Sequence, residues 1–140
     1  MDRLQRFEAL TIIPEPAAIR LAERILDGSL GHVAVITPPT VGMVMARAQD
    51  GARGEVFNLG EVLVTEARVS IEGREGWGMV LGRAPDHALS VAVVDAGLEA
   101  GHRDGPAIER DLAELATEAD ARTNEEWVRV APTRVQFDVL

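Results

Sequence analysis

Between Pro85 and Gly101 the sequence writes a helix that cannot rest on a single surface. One helical stripe carries His87, Val91, Val94 and Leu98. The opposite stripe carries Leu89, Ala92, Val93, Ala96 and Ala100. A helix that is apolar on two sides is covered on two sides. One cover is expected to be a sheet. The other is expected to be either the next helix or a partner protein. The ends are marked in the usual way, with Pro at the start and Gly just past the finish.

The sheet that such a helix needs is written just before it. From Leu63 to Ile71 apolar and polar residues alternate. Leu63, Thr65, Ala67, Val69 and Ile71 fall on one face, while Glu66, Arg68 and Ser70 fall on the other. That period belongs to a half-buried antiparallel strand. Glu72 to Gly76 turns the chain, and Trp77, Met79 and Leu81 return as a partner strand. Upstream, His32–Thr37 is rich in β-branched residues and ends at Pro38-Pro39, and Val41–Gln49 reads as a further strand before a turn at 50–54. Gly76 and Gly78 resemble a phosphate-binding glycine loop only superficially. Their spacing is off by one residue and they lie inside a strand, where glycines admit a close neighbour.

Helices are expected at both ends. Asp2–Leu10 places Leu4, Phe7 and Leu10 at helical spacing. Pro16–Asp27 puts Ile19, Ala22, Ile25 and Leu26 on one face. A last helix opens at Asp104-Gly105-Pro106 and runs to Ala131, with a stripe of Ile108, Leu112, Leu115, Ala116 and Ala119. The tail, Val135 to Leu140, alternates again. The fold class is therefore α+β: a central antiparallel sheet of about four strands, with N-terminal helices and two C-terminal helices. One domain spans 1–140. It divides into a helical N-terminus (1–28), the sheet (32–83), helices (85–131) and a tail (133–140) expected to dock on a partner or on a second copy.

Composition removes several kinds of chemistry. All 14 basic residues are Arg, against 23 acidic residues, giving a net charge of -9. Without Lys there is no Schiff base and no phosphate-loop lysine. Without Cys there is no disulfide, thiol nucleophile or thiolate-held metal. The acidic balance opposes nucleic-acid binding, which rests on phosphate neutralisation. No apolar run approaches the 18 residues of a membrane span, and no signal-like segment follows Met1, so a cytoplasmic location is expected.

Few residues remain as chemical candidates. The three His, at 32, 87 and 102, lie in no metal-ligand spacing. His102 follows the Gly101 cap and reads as a solvated helix-end residue. His87 sits on an apolar stripe and reads as a buried, hydrogen-bonded side chain. Ser29, Ser70 and Ser90 lie in no nucleophile elbow. No metal site and no cofactor bound by this chain are expected.

An ordered set of short motifs adds a resemblance. The run Phe57-Asn58-Leu59-Gly60-Glu61 is followed by Val64-Thr65, Ala67, Gly82-Arg83, His87-Ala88 and Asp95-Ala96. Thr40 to Arg47 precedes the set, and Thr133-Arg134-Val135 closes it. Together they resemble the PhnG family, a small subunit of the bacterial carbon–phosphorus lyase core complex. The departures are Arg53 in the glycine turn, Glu66 where the family pattern has Arg, and Gln136 in the tail motif.

The resemblance implies an accessory subunit. Its partners would be chiefly a PhnI-like subunit, with PhnH-like, PhnJ-like and PhnL-like subunits. ATP and a phosphonate are then substrates of the complex: the ribose 5-triphosphate moiety passes to methylphosphonate and adenine is released. No catalytic residue is expected in the isolated chain. The family-motif or partner-interface candidates are Phe57, Asn58, Gly60, Glu61, Arg83, His87, Asp95, Arg134 and Phe137. Two alternatives compete with this reading. One is an autonomous nucleotide- or phosphate-binding domain using Glu61, Arg83 and His87, since a cation pair four residues apart suits phosphate. The other is a self-assembling structural protein whose tail adds a strand to another copy.

Overall fold

Asp2 starts the first helix. Its carboxylate accepts the Gln5 backbone N–H at 2.8 Å, and the Gln5 side chain accepts the Asp2 N–H at 3.0 Å. This reciprocal capping box satisfies two donors at the helix start. The computed structural model describes residues 1–28, 31–50, 54–130 and 135–139, with backbone alone at 46–50, 57–59, 123–130 and 135–139. The elements in chain order are α1 (Arg3–Ile12), α2 (Glu15–Asp27), β1 (Val33–Asp50), β2 (Val56–Ile71), β3 (Arg74–Leu81), α3 (Pro85–Glu99), α4 (Gly105–Val130) and β4 (Val135–Val139).

The α+β class read from the periodicity holds. Three antiparallel strands, β1 to β3, form the body of the sheet, and β4 joins β1 only at its far end, giving the order β3-β2-β1-β4. The alternation in β2 places Thr65, Ala67, Val69 and Ile71 in the interior. On β3 the interior positions are Gly76, Gly78 and Val80.

Those two glycines let α3 approach backbone to backbone. A Cβ on Gly78 would lie 2.2 Å from the Ala88 carbonyl oxygen, and one on Gly76 would lie 2.2 Å from that of Ala92. Ala88, Ala92 and Ala96, spaced four apart on α3, supply the matching small face. On its other side α3 is covered by α2, where Gly97 leaves room for Ile25. Both covers of the doubly apolar helix therefore come from this chain. The second is α2, which precedes the sheet, and neither the following helix nor a partner is needed to explain it.

Several expectations need correction. Pro38-Pro39 does not end a strand. The two expected strands at 32–37 and 41–49 are one 18-residue strand, β1, with register shifts between Val35 and Thr37 and between Thr37 and Thr40. Neither Pro38 nor Pro39 is a rung of the ladder with β2, because both lie inside the register shift between Thr37 and Thr40, and a bulge is one of the places where a strand tolerates proline. Residues 135–139 of the tail are a strand of the chain's own sheet. Leu26, placed on the buried stripe of α2, is exposed, while Leu21 and Ala18 are buried in its stead. His102 is not solvated. It is 3% exposed, its Nδ1 accepts the Asp104 N–H at 3.1 Å, and its ring fills the space that a side chain at residue 28 would need.

Candidate functional site

The structure distributes the candidate residues over three places. The first is the end of the β1–β2 ribbon nearest its connecting turn. There Phe57 is in register with Ala48, Asn58 with Arg47, Gly60 with Ala46, and Glu61 with Met45. Across β1, Phe137 is also in register with Ala48. Phe57 and Phe137 thus share one row of three strands, although they are far apart in sequence. Leu59 has no partner in this ladder, and the adjacent Gly60 has φ +121. One unpaired residue next to a left-handed glycine is a β-bulge, and bulges re-aim strands near working surfaces. The side chains of Phe57, Asn58 and Phe137, and the whole of Arg134, lie outside the described residues.

The second place is the corner between β3 and α3. Thr65 Oγ1 donates to the Gly82 carbonyl at 2.6 Å and accepts the Ala84 N–H at 3.0 Å, while the Gly82 N–H donates to the Leu63 carbonyl at 2.8 Å. These bonds hold exposed Arg83 on a fixed turn. His87 follows on the first turn of α3, but its ring faces inward. It is hydrogen-bonded to the Ile13 backbone, lies near Glu15, and keeps Nε2 sealed from solvent with no partner. A phosphate held jointly by Arg83 and His87 is therefore not what this corner offers; His87 is a half-buried, hydrogen-bonded side chain rather than the fully buried one expected.

Burial pushes the His87 pKa below its ordinary 6.5, against the opposing pull of Glu15 and the Ile13 backbone. The folded protein therefore favours the neutral ring. Stability from this site is fully present above the unfolded value and declines as pH falls below about 6.5. Urea titrations at pH 7 and pH 5.5 check this. The wild type should lose stability over that interval, and His87→Gln should lose measurably less.

The third place is a buried ion-pair cluster beside the edge of β3. Arg6, only 4% exposed, donates from Nε to Asp95 Oδ1 at 2.8 Å and pairs with Glu99. Arg3 donates to Asp95 Oδ2 at 3.1 Å and to the Glu75 carbonyl at 2.9 Å. The Trp77 backbone N–H donates to Asp95 Oδ2 at 3.0 Å. Burial opposes the charge on Arg6, but its bonds to Glu99 and Asp95 prevail and hold its pKa above the ordinary value. The bond from Arg6, against the cost of burial, holds the Glu99 carboxyl below the usual range. Both Asp95 oxygens are engaged, so Asp95 ties α1 and α3 to the edge of β3 and is not presented to a ligand.

Sequence reading missed Arg6 because it looked like an ordinary solvent-face residue of α1. The available signal was Asp95 itself, since a carboxylate within an otherwise apolar helix must find a charge partner. Glu66, the departure from the family pattern, accepts the Trp77 indole N–H at 2.8 Å and lies 3.6 Å from Arg68. Phe7 stacks on the same indole at 5.0 Å.

Elsewhere, a shallow groove of about 320 Å³ runs between α2 and α4. Arg24 bridges it to Asp111 at 2.5 Å, and Glu114 and Glu118 line it as well. Its carboxylates outnumber its cations, which suits no anion. Among the described residues no group of three His, Cys, Asp or Glu is placed to hold a metal ion. No described helix is long and apolar enough to cross a membrane.

Comparison with known proteins agrees with the motif series. The family model described as phosphonate metabolism protein PhnG matches residues 1–140. The alpha-D-ribose 1-methylphosphonate 5-triphosphate synthase subunit PhnG of Rhizobium meliloti (strain 1021) is 36% identical over 108 residues, covering 76% of this chain and 68% of that protein. With the motifs in order, the fold around them and a match along the whole length, the chain belongs to the PhnG family of phosphonate metabolism proteins.

Proposed function

We propose that the chain serves as the PhnG subunit of an alpha-D-ribose 1-methylphosphonate 5-triphosphate synthase. The reading is carried by membership of the family together with likeness to a relative named as that subunit. The reaction breaks the bond from the ribose C1′ to adenine and joins that carbon to a phosphonate oxygen. Adenine leaves, and the triphosphate stays on the ribose. In this reading ATP and the phosphonate meet on the assembled complex, in the cytoplasm, and the chemistry is carried chiefly by a PhnI-like subunit. PhnH-like and PhnL-like subunits complete the requirement.

What this chain brings is scaffold and surface. Asp95 and Arg6 are consumed by internal pairing, and His87 is turned inward. The family-motif residues Phe57, Asn58, Gly60 and Glu61 cluster in sequence on the β1–β2 ribbon, where Glu61 is exposed and Gly60 half-buried. They are best placed to meet a neighbouring subunit. The test is reconstitution with ATP and methylphosphonate, following adenine by chromatography. The complete set of subunits should release adenine, the isolated chain should not, and the set without this chain should lose the activity. Full activity from the other subunits alone would overturn the proposal.

A further inference from the structure

The two outer edges of the sheet are treated differently. The edge of β3 is met by side chains over its first half: the Glu75 carbonyl accepts from Arg3, and the Trp77 N–H donates to Asp95. The edge of β1 is closed only from Ala46 to Asp50, by β4. Before Ala46 it faces no other strand among the described residues. Its sequence from Val33 to Ala46 contains no charged residue. Natural sheets blunt free edges with charges, prolines or bulges, because an open row of N–H and C=O groups templates another strand. The first part of this edge has such devices, namely Pro38-Pro39 and the two register shifts. The stretch Thr40–Met45 has none. It keeps unbroken register with Glu66–Glu61 of β2, and Met43 and Met45 are 54% and 39% exposed.

We infer that Thr40–Met45 receives an extended segment of another subunit as an added β-strand, in line with β4. The inference rests on the accessory-subunit reading above and names the surface and the mode of contact. The chain's own β4 demonstrates that this edge accepts a strand of alternating apolar residues. A second copy does not fit the same stretch. In an antiparallel pairing of two such edges, the second copy's β4 would fall where β1 of the first copy runs. In a parallel pairing the two β4 strands would occupy the same place. A charge of -9 on each copy adds repulsion. The occupant is therefore a different polypeptide. It is uncharged along the contact and apolar at alternate positions, so that it covers Met43 and Met45 while its backbone completes the ladder.

Amide hydrogen exchange on the isolated chain and on the co-expressed complex tests this. On assembly, about half of the amides in 40–45, those pointing away from β2, should slow by tenfold or more. Met43→Glu combined with Met45→Glu should leave the isolated chain folded, because both side chains are exposed. It should lower recovery of the complex by about tenfold or more, the scale of roughly 1.4 kcal/mol per factor of ten. A complex that forms with 40–45 exchanging as in the isolated chain overturns the inference and leaves the subunit reading standing. Protection of 40–45 in a concentration-dependent dimer of the isolated chain would make the occupant a second copy and overturn it too. Failure of any complex to form overturns both.

Discussion

Gly78→Ala should lower stability by about 3 kcal/mol or leave the protein unfolded, and Gly76→Ala should do the same. The new methyl group at residue 78 would stand 2.2 Å from the Ala88 carbonyl oxygen and 2.8 Å from the Ala92 nitrogen. Both obstacles are backbone atoms of α3, so no side chain can swing aside. The helix itself must retreat by about 1 Å, and overpacking of a filled core costs typically 1–3 kcal/mol and occasionally more. Gly42→Ala is the control. Nothing lies within 4 Å of the methyl group it would add, and its stability should stay within about 0.5 kcal/mol of wild type. Urea denaturation of the three variants gives the comparison. A Gly78→Ala protein as stable as Gly42→Ala would refute the close packing of α3 on β3.

Arg6→Met should cost about 3–5 kcal/mol, the range for removing one partner of a buried pair. The loss comes from what remains behind more than from the missing bonds. Asp95 is buried and keeps only Arg3, whose side chain is half exposed, and the Trp77 N–H. Glu99 meanwhile loses the chief cause of its low pKa. In the wild type that carboxylate contributes stability above its ordinary 4.5, and the contribution fades as pH falls through the lower folded value. The gap between wild type and Arg6→Met should therefore be widest near neutral pH and should narrow below pH 4.5. Denaturation at pH 7 and pH 3.5 measures both quantities. A gap independent of pH would assign the cost to lost packing of the Arg6 stem instead.

Local periodicity was legible wherever one neighbour decided the outcome. The alternation from Leu63 to Ile71 identified the interior face of β2 because its pleat has one buried side. Gly76 and Gly78 were read as places of close approach, and α3 is what approaches. The two apolar stripes of α3 required two covers, and two exist. What the sequence could not declare were facts about distant neighbours. Pro38-Pro39 reads as a stop, yet both prolines fall inside a register shift where they are not asked for a ladder bond to β2, and β1 runs on. Arg6 and His102 carry polar labels, and their burial follows from Asp95 and from the space beside Gly28, far away in sequence. The candidate site was legible as a set of motifs and not as a place. Phe57 and Phe137 come into register only because β1 stands between them. His87 and Asp95, on one helix, face different internal partners.

The contact between α3 and β3 has a mechanical side. Most helices rest on a sheet through a layer of side chains, which can shift rotamers and absorb small displacements. Here alanine methyl groups on glycine backbone leave almost nothing to deform, and close-packed interiors transmit strain. The strand and the helix behave as a single plate, pinned at one end by Thr65 and at the other by the Asp95 cluster. Any push delivered at Arg83 would arrive at Arg6 and Glu99 as motion of the whole plate.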